Sequence, residues 1–192
     1  MRLRIANRVF RMSNLLANKC SFQTQRLKVF AYPDCVKHAI LESELIDRVV
    51  HIMTPEVTKS LPTAWQNIHS AAEAKKWLAD VSINSNFLLV QLKPTKKIVG
   101  FVFLHESGTT KTGLHLRLGY LLSQDTWGLG IGGELIQGLL SWCKSSGKIG
   151  RITGGVEADN IASIKLLEKN GFVQTDKNSD GALVYYYDFN ED

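Results

Sequence analysis

The chain has 192 residues, of which 44% are hydrophobic, and this length and composition suit one globular domain with a substantial core. No apolar run approaches about 18 residues, so we expect no membrane span and no membrane partner. The three cysteines, Cys20, Cys35 and Cys143, have no metal-ligand or redox spacing. We therefore expect no metal site and a reduced, cytoplasmic protein, with Cys143 in the core.

Positive charge is concentrated at the N-terminus. Residues 1–37 hold eight Lys and Arg residues and one acid, a net charge of +7, whereas residues 38–192 hold 15 basic and 17 acidic residues. We expect no nucleic-acid partner, and the mild negative balance of the domain favours amine-bearing substrates. Residues 1–21 are interpreted as a basic arm, expected to be disordered; a mitochondrial transit peptide and a true start at Met12 are the alternatives.

Helices and strands are predicted from apolar spacing and from turn residues. Strands are predicted at residues 24–31, 86–92, 97–105 and 113–122. The last three follow one another with short polar turns between them, which predicts an antiparallel meander rather than alternating strands and helices. The predicted helices before residue 86 cover 35–52 with Asp34 as N-cap, 54–61 with Thr54 as N-cap, and 70–81 with Ser70 and Glu73 as a capping box.

Four glycines, Gly128, Gly130, Gly132 and Gly133, separate the strand that ends at Leu122 from a helix predicted over residues 132–146. Glycine permits a positive φ, and the first N–H groups of a helix have no intrahelical partner and lie at the positive end of its dipole. The turn therefore predicts a site for a phosphate or diphosphate group.

The same glycines match the dinucleotide pattern G-x-G-x-x-G, and Glu157 follows the next predicted strand, 149–156, where a ribose-binding acid would lie. An NAD-type oxidoreductase is therefore one alternative, although five residues separate Leu122 from the first glycine and the meander argues against it. A tight turn that binds nothing is another.

The last helix is predicted to begin after Asn160 as N-cap and to end at Gly171. Two strands, 172–175 and 182–189, then form a hairpin across residues 178–181. We find no internal repeat in the sequence and no linker long enough to join a second domain.

Three ordered motifs carry a family resemblance. The segments 127–132 (WGLGIG), 160–163 (NIAS) and 169–172 (KNGF) resemble the GNAT family of acetyl-CoA-dependent N-acetyltransferases, in particular the branch of the ribosomal-protein N-terminal acetyltransferases RimJ and RimL. Segments 24–27 (TQRL), 98–100 (IVG) and 118–120 (LGY) extend the resemblance, which covers about residues 22–190. Trp127 stands where the family commonly has Gln or Arg, and an aromatic residue there is common in this branch.

The resemblance implies the fold and the cofactor. Residues 22–192 are expected to form an α/β (α+β) GNAT, or acyl-CoA N-acyltransferase, fold: a mixed central sheet with an antiparallel N-terminal meander, splayed central strands and flanking helices. Acetyl-CoA is the implied co-substrate, and its acetyl group passes directly to a primary amine, with a protein N-terminal α-amine as the favoured acceptor. The implied cofactor-binding residues are Leu121, Leu122, Trp127, Gly128, Leu129, Gly130, Ile131, Gly132, Gly133 and Asn160.

The candidate catalytic residues are Ser163, which the resemblance implies, and Glu157, which is chosen for its place at the end of the predicted strand 149–156. Many family members donate a proton from a Tyr seven residues after the Asn of the last helix, and here that residue is Leu167. The RimL-like branch has a Ser three residues after the Asn, which implies that Ser163 hydrogen-bonds the leaving thiol. Glu157 is our first candidate for the general base, ahead of Glu106, His115 and Asp125.

Each site residue also has a simpler interpretation: Asn160 as a helix cap, Ser163 as an ordinary helix hydroxyl and Glu157 as a solvated loop acid. Two alternative functions stay open besides the oxidoreductase. One is acetylation of a small molecule such as a polyamine or aminoglycoside. The other, suggested by Leu167, is a non-catalytic module that binds or senses acyl-CoA. The sequence leaves oligomerisation open.

Overall fold

The computed structural model describes residues 20–84, 86–177 and 181–189, which form one eight-stranded sheet in the order β1-β2-β3-β4-β5-β6-β8-β7. The first five strands form the predicted antiparallel meander, β5 and β6 run parallel, and β6 to β8 are again antiparallel. Residues 178–180 of the predicted last turn lie outside the described residues. The strands are β1 (Phe22–Gln23), β2 (Leu27–Ala31), β3 (Asn86–Leu92), β4 (Ile98–Thr110), β5 (Gly113–Leu122), β6 (Ile149–Val156), β7 (Val173–Lys177) and β8 (Leu183–Asp188).

The two helices predicted to begin after Thr54 and Ser70 begin there, and their capping residues make the predicted contacts. Thr54 Oγ1 accepts a hydrogen bond from the Val57 N–H (3.4 Å). Ser70 and Glu73 exchange hydrogen bonds as a capping box, with Ser70 N to Glu73 Oε2 at 2.9 Å and Glu73 N to Ser70 Oγ at 3.3 Å. The helices are α1 (Glu42–Ile52), α2 (Pro55–Thr58), α3 (Ala71–Asn84), α4 (Ile131–Ser146) and α5 (Ile161–Lys169).

The helix predicted over residues 35–52 is wrong in its first part. Ala39 has a φ of +54°, which a right-handed helix cannot accommodate, so α1 begins only at Glu42. The chain before it forms two short 3-10 turns, and Asp34 ends the first of them instead of capping a helix.

The helices cover the two faces of the sheet and bury two separate cores. On one face, α4 and α5 pack against β5 and β6, with Leu135, Cys143, Leu167, Leu116 and Leu118 in one cluster. On the other face, α1 and α3 pack against β3 and β4 around a set of aromatic rings. Those rings are Trp77, Phe87, Phe101 and Phe103, with ring centroids between 5.2 and 6.2 Å apart. The even-numbered residues of β5 therefore face α4 and α5, and its odd-numbered residues face the opposite side.

Gly138 allows α4 to lie close to the start of the sheet. A Cβ on Gly138 would lie 2.6 Å from Cε2 of Phe22 and 2.7 Å from Cγ2 of Thr24. We expect Gly138→Ala to lower the free energy of unfolding by about 1 to 2 kcal/mol, because overpacking outweighs the roughly 1 kcal/mol by which Ala favours a helix. Urea unfolding of the ligand-free protein measures this change.

Gly133→Ala is the matched control in the same helix, because a Cβ there would lie 4.0 Å from its nearest neighbour, Cδ1 of Leu166. We expect this variant to keep or gain stability. Equal stability of the two variants would contradict the close packing of α4 on β1.

Candidate active site

The two central strands separate, as the sequence predicts. β5 and β6 pair from Leu114 with Ile149 to Leu118 with Gly154. Beyond this point β5 continues to Leu122 beside β4, and β6 continues to Val156 beside β8. A V-shaped gap therefore opens between them toward the carboxyl ends of both strands.

The hydrogen-bond register determines which backbone groups face this gap. The Ser123 N–H donates to the Val99 carbonyl of the neighbouring segment (2.8 Å), and bonds to β4 recur at every second residue of β5. The backbone of Leu121 is therefore directed to β4, and those of Tyr120 and Leu122 are directed to the gap. The Leu122 carbonyl already accepts a hydrogen bond from the indole Nε1 of Trp127 (2.9 Å).

The glycine turn lies at the end of β5 where the gap opens. Gly128 and Gly130 have φ values of +73° and +74°, so a residue with a Cβ would be strained at either position. Gly130 is the N-cap of α4, and the first bond back to it comes from the Glu134 N–H (3.2 Å). Three residues at the start of α4 therefore have backbone N–H groups without an intrahelical partner, namely Ile131, Gly132 and Gly133. Leu129, which lies between Gly128 and Gly130 in the turn, has an exposed side chain.

The first turn of α5 borders the gap on the other side. Asn160 Oδ1 accepts a hydrogen bond from the Ser163 backbone N–H (3.1 Å), so Asn160 is the N-cap that the sequence predicts. This bond uses the main chain of Ser163 and leaves its hydroxyl available. The Ser163 side chain is half-buried.

Tyr120 is a site residue to which the sequence assigned no definite role. Its side chain packs against the core on the α4 and α5 face, and its buried hydroxyl has no well-aligned hydrogen bond to any described residue. Burial raises the pKa of Tyr120, while the nearby Ser163 hydroxyl lowers it by a smaller amount. Tyr120 and Ser163 are thus two neighbouring hydroxyl groups from different elements.

The structure separates the four candidate bases. Glu157 is exposed and directly follows β6, at the open end of the gap. Glu106 and His115 lie where β4, β5 and β6 are still paired, away from this end. Burial, with smaller contributions from Arg151 and Arg117, lowers the pKa of His115.

Asp125 lies in the 3-10 turn after β5, 3.6 Å from the Nε2 atom of His51. A hydrogen bond from Ser123 lowers the pKa of the Asp125 carboxyl. Of the four candidate bases, only Glu157 therefore lies in the segment that joins the end of β6 to α5, the helix that carries Ser163.

The described residues offer neither a nucleophilic cysteine at the gap nor a metal centre. Cys143 is buried in the core, and burial raises its pKa to about 12, so the thiol is protonated at neutral pH. Within the described ranges no group of three or more His, Cys, Asp or Glu side chains could hold a metal ion, and no helix is long and apolar enough to cross a bilayer.

The family model described as an acetyltransferase (GNAT) domain matches residues 41–173, more than half of the chain. The chain belongs to the GNAT acetyltransferase family. Enzymes of this family use acetyl-CoA, and this protein is accordingly an acetyl-CoA-dependent acetyltransferase. The mixed sheet, with its N-terminal meander, also excludes the doubly wound dinucleotide fold suggested by the glycines alone.

Relatives of this GNAT protein agree with that assignment. The chain is 28% identical over 147 residues to the uncharacterized N-acetyltransferase p20 of Bacillus licheniformis, covering 70% of this chain and 79% of the relative. A candidate ribosomal-protein-serine acetyltransferase from Vibrio cholerae superposes with a TM-score of 0.66 at 18% identity, over 89% of this chain and 98% of that one.

The microcin C7 self-immunity acetyltransferase MccE, solved in complex with acetyl-CoA and AMP, superposes with a TM-score of 0.65 at 16% identity, over 86% and 94% of the two chains. At these identities the two structures show a shared fold only.

The Asn160 cap can be tested separately from catalysis. We expect Asn160→Ala to lower the free energy of unfolding by about 1 kcal/mol, because the Ser163 N–H at the start of α5 loses its acceptor. Asn160→Asp is the matched control, since its carboxylate can still accept this bond. Thermal unfolding without ligand distinguishes the two, and equal losses would contradict a capping role.

Proposed function

We propose that this GNAT enzyme acetylates the α-amine of protein N-termini and that it belongs to the RimJ/RimL-like branch. The observation that carries the proposal is the gap between β5 and β6 with the glycine turn and the α5 N-terminus at its open end. The motifs of the sequence and the neighbour from Vibrio cholerae support the branch assignment.

The gap offers a place for the pantetheine arm of acetyl-CoA. The backbone groups of Tyr120 and Leu122 face it without a strand partner, and an amide-containing chain can pair with them as a strand would. The N–H groups from Gly128 to Gly133 then receive the diphosphate at the start of α4, where the helix dipole favours negative charge. Asn160 lines the entrance from α5.

The proposed reaction forms one C–N bond and breaks one C–S bond. The neutral amine attacks the thioester carbonyl, the tetrahedral intermediate collapses, and CoA leaves as a thiolate that takes up a proton. Ser163 donates a hydrogen bond to the leaving sulfur, with Tyr120 as its hydroxyl neighbour. Glu157, at the open end of β6, accepts the proton that the amine must lose.

Ser163→Ala provides the test of this chemistry. We expect kcat to fall by roughly 100-fold, the lower range for a positioned proton donor, while the Kd of acetyl-CoA stays within about twofold. The Asn160 cap persists because it uses the backbone of residue 163. Ser82→Ala, at an exposed serine of α3, is the control. An unchanged kcat would remove Ser163 from the mechanism.

The acceptor class follows from the shape of the opposite sheet face. Arg117 and Gly119 of β5 and Gly155 of β6 are exposed there, and a Cβ on Gly155 would have no neighbour within 4 Å. Within the described residues, α1 and α3 pack on β4 and β3, Leu121 of β5 is buried under the same core, and the outward residues of β6 and β8 are exposed or half-buried. A broad, open face suits an extended peptide better than a small amine, which enzymes usually enclose.

An acceptor panel tests this proposal directly. We expect a peptide with a free N-terminus to show a kcat/KM at least roughly 10-fold above spermidine, an aminoglycoside and the same peptide with a blocked N-terminus and one lysine. Release of the CoA thiol is the measurement. Turnover of the small amines alone would establish the small-molecule alternative.

Thermal unfolding with acetyl-CoA measures cofactor binding separately from turnover. A ligand at about 100 times its Kd stabilises the folded state by roughly 2.7 kcal/mol. Stabilisation by acetyl-CoA without turnover of any amine in the panel would mean that the panel lacks the acceptor, and the proposed acceptor class would fail.

We also propose a cytoplasmic location. Cys20, Cys35 and Cys143 are all free thiols, and two of them are buried in the core. Unpaired buried thiols are typical of proteins that fold in a reducing compartment.

A further inference from the structure

A cluster of polar groups ties the start of the sheet to the first turn of α4. The Glu134 carboxylate accepts hydrogen bonds from Thr24 Oγ1 (2.5 Å), from the Arg26 backbone N–H (2.6 Å) and from Arg26 Nε (2.6 Å). Only 16% of the Glu134 side chain is exposed. Burial alone would raise the pKa of Glu134, but the three donors together lower it, and the carboxylate stays charged at neutral pH.

The same guanidinium reaches the glycine turn. Arg26 Nη1 donates to the Leu129 carbonyl (2.8 Å), and Arg26 Nη2 would lie 3.5 Å from a Cβ placed on Gly130. An Arg side chain has five N–H groups, and only two of them are used by acceptors among the described residues. Because 41% of the Arg26 side chain is exposed, the remaining three are open to a ligand beside the turn.

The surroundings of Arg26 favour an anionic ligand. A groove of about 900 Å³ runs along α4 from Gly130 and is lined by residues of the β1–β2 segment and of α5. Its charged lining residues are Arg26, Lys169 and Glu134, and the single acid is neutralised by its contact with Arg26. The groove as a whole therefore carries one positive charge in excess, with Lys169 in the last turn of α5 as the cation that Glu134 does not balance.

We propose that Arg26 directly binds the diphosphate of acetyl-CoA, and that Thr24 and Glu134 position it for this role. The inference deepens the proposed function and rests on it. The backbone amides of the turn supply neutral donors, whereas the planar guanidinium, its charge balanced by Glu134, offers charge-assisted hydrogen bonds from its three remaining N–H groups. A carboxylate that holds Nε and the main chain of one residue fixes the fork before the ligand arrives, so little side-chain entropy is lost on binding.

A purely structural role for Arg26 predicts a different result. If the residue only fastens β1 and β2 to α4, its loss would loosen the site for every ligand, including one without phosphate. If Arg26 instead binds the diphosphate, its loss weakens the binding only of molecules that carry a diphosphate. Pantetheine, dephospho-CoA and CoA therefore form a series that separates these roles.

The experiment compares Arg26→Gln with wild type by calorimetric titration of these three compounds. We expect the Kd of CoA and of dephospho-CoA to rise by the same factor, about 10- to 100-fold, as a hydrogen-bonded charge interaction of this kind predicts. The Kd of pantetheine is expected to stay within about twofold. With acetyl-CoA as substrate, KM should rise more than kcat falls, and Arg26→Lys should restore part of the affinity.

Two further variants complete the design. Lys93→Met removes another tether of the same segment, the bond from Lys93 Nζ to the Thr24 carbonyl (2.8 Å), without reaching the glycine turn, and should leave all three Kd values unchanged. Glu134→Gln should weaken CoA less than Arg26→Gln does, and the double variant should bind CoA no more weakly than Arg26→Gln alone, because both act through one guanidinium.

Each other outcome overturns the assignment. An equal loss for pantetheine would indicate a structural role, and a loss for CoA without a loss for dephospho-CoA would place Arg26 at the 3′-phosphate. If wild type prefers CoA to pantetheine and Arg26→Gln keeps that preference in full, only the role of Arg26 fails. If wild type binds none of the three compounds, the proposed function fails together with it.

Discussion

The separation of β5 from β6 after Leu118 and Gly154 is the constraint on which the site depends. Each strand keeps its other neighbour, β4 or β8, so the two can separate without the sheet coming apart. The cost is that main-chain groups along the gap have no strand partner and must find another protein group, water or a ligand, as the Leu122 carbonyl does with Trp127. Gly119 and Gly155 are exposed and leave room on the surface here, whereas Gly154 is buried and still pairs with Leu118. A cofactor with its own amide groups would remove this cost, because it can form the main-chain hydrogen bonds that β5 and β6 do not form with each other.

The two cores explain why cofactor and acceptor can approach from opposite sides. α4 and α5 occupy one face, where the Ser163 and Tyr120 hydroxyls and the glycine turn lie. On the opposite face α1 and α3 bury their aromatic core against β3, β4 and Leu121 of β5, and the outward residues of β6 and β8 are exposed or half-buried. The acetyl group would then be held in the plane of the sheet, between the two strands. The proposed reaction needs both approaches at once, because in it the amine attacks the thioester directly and no protein group carries the acetyl in between.

Local sequence signals predicted most of the fold, and long-range contacts account for what they left out. The caps at Thr54, Ser70 and Asn160 depend on residues within three positions, and all three are confirmed. The predicted start of α1 was wrong because Ala39 takes a left-handed conformation, which its residue type does not predict. The hydrogen bonds between Arg26 and Glu134 join residues 108 positions apart, a separation at which no local sequence pattern predicts a contact. The glycine pattern was ambiguous because both rival folds need the same turn, and only the sheet order separates them.

Leu167 shows how this chain differs from the family pattern at the reacting centre. Its side chain is 1% exposed, and Cδ1 would lie 3.8 Å from a Cβ on Gly154, the last β6 residue that pairs with β5. The position that holds a Tyr in many relatives is thus filled by an apolar side chain packed beneath the point where the strands separate. Ser163 lies four residues earlier on the same face of α5, one helical turn closer to the open end of the gap. Compared with a Tyr at position 167, the Ser163 hydroxyl lies one helical turn earlier on α5, and Tyr120 supplies a second hydroxyl from β5. Under the proposed mechanism, the chain keeps an apolar, packed floor under the gap and places the Ser163 hydroxyl where the leaving sulfur would emerge.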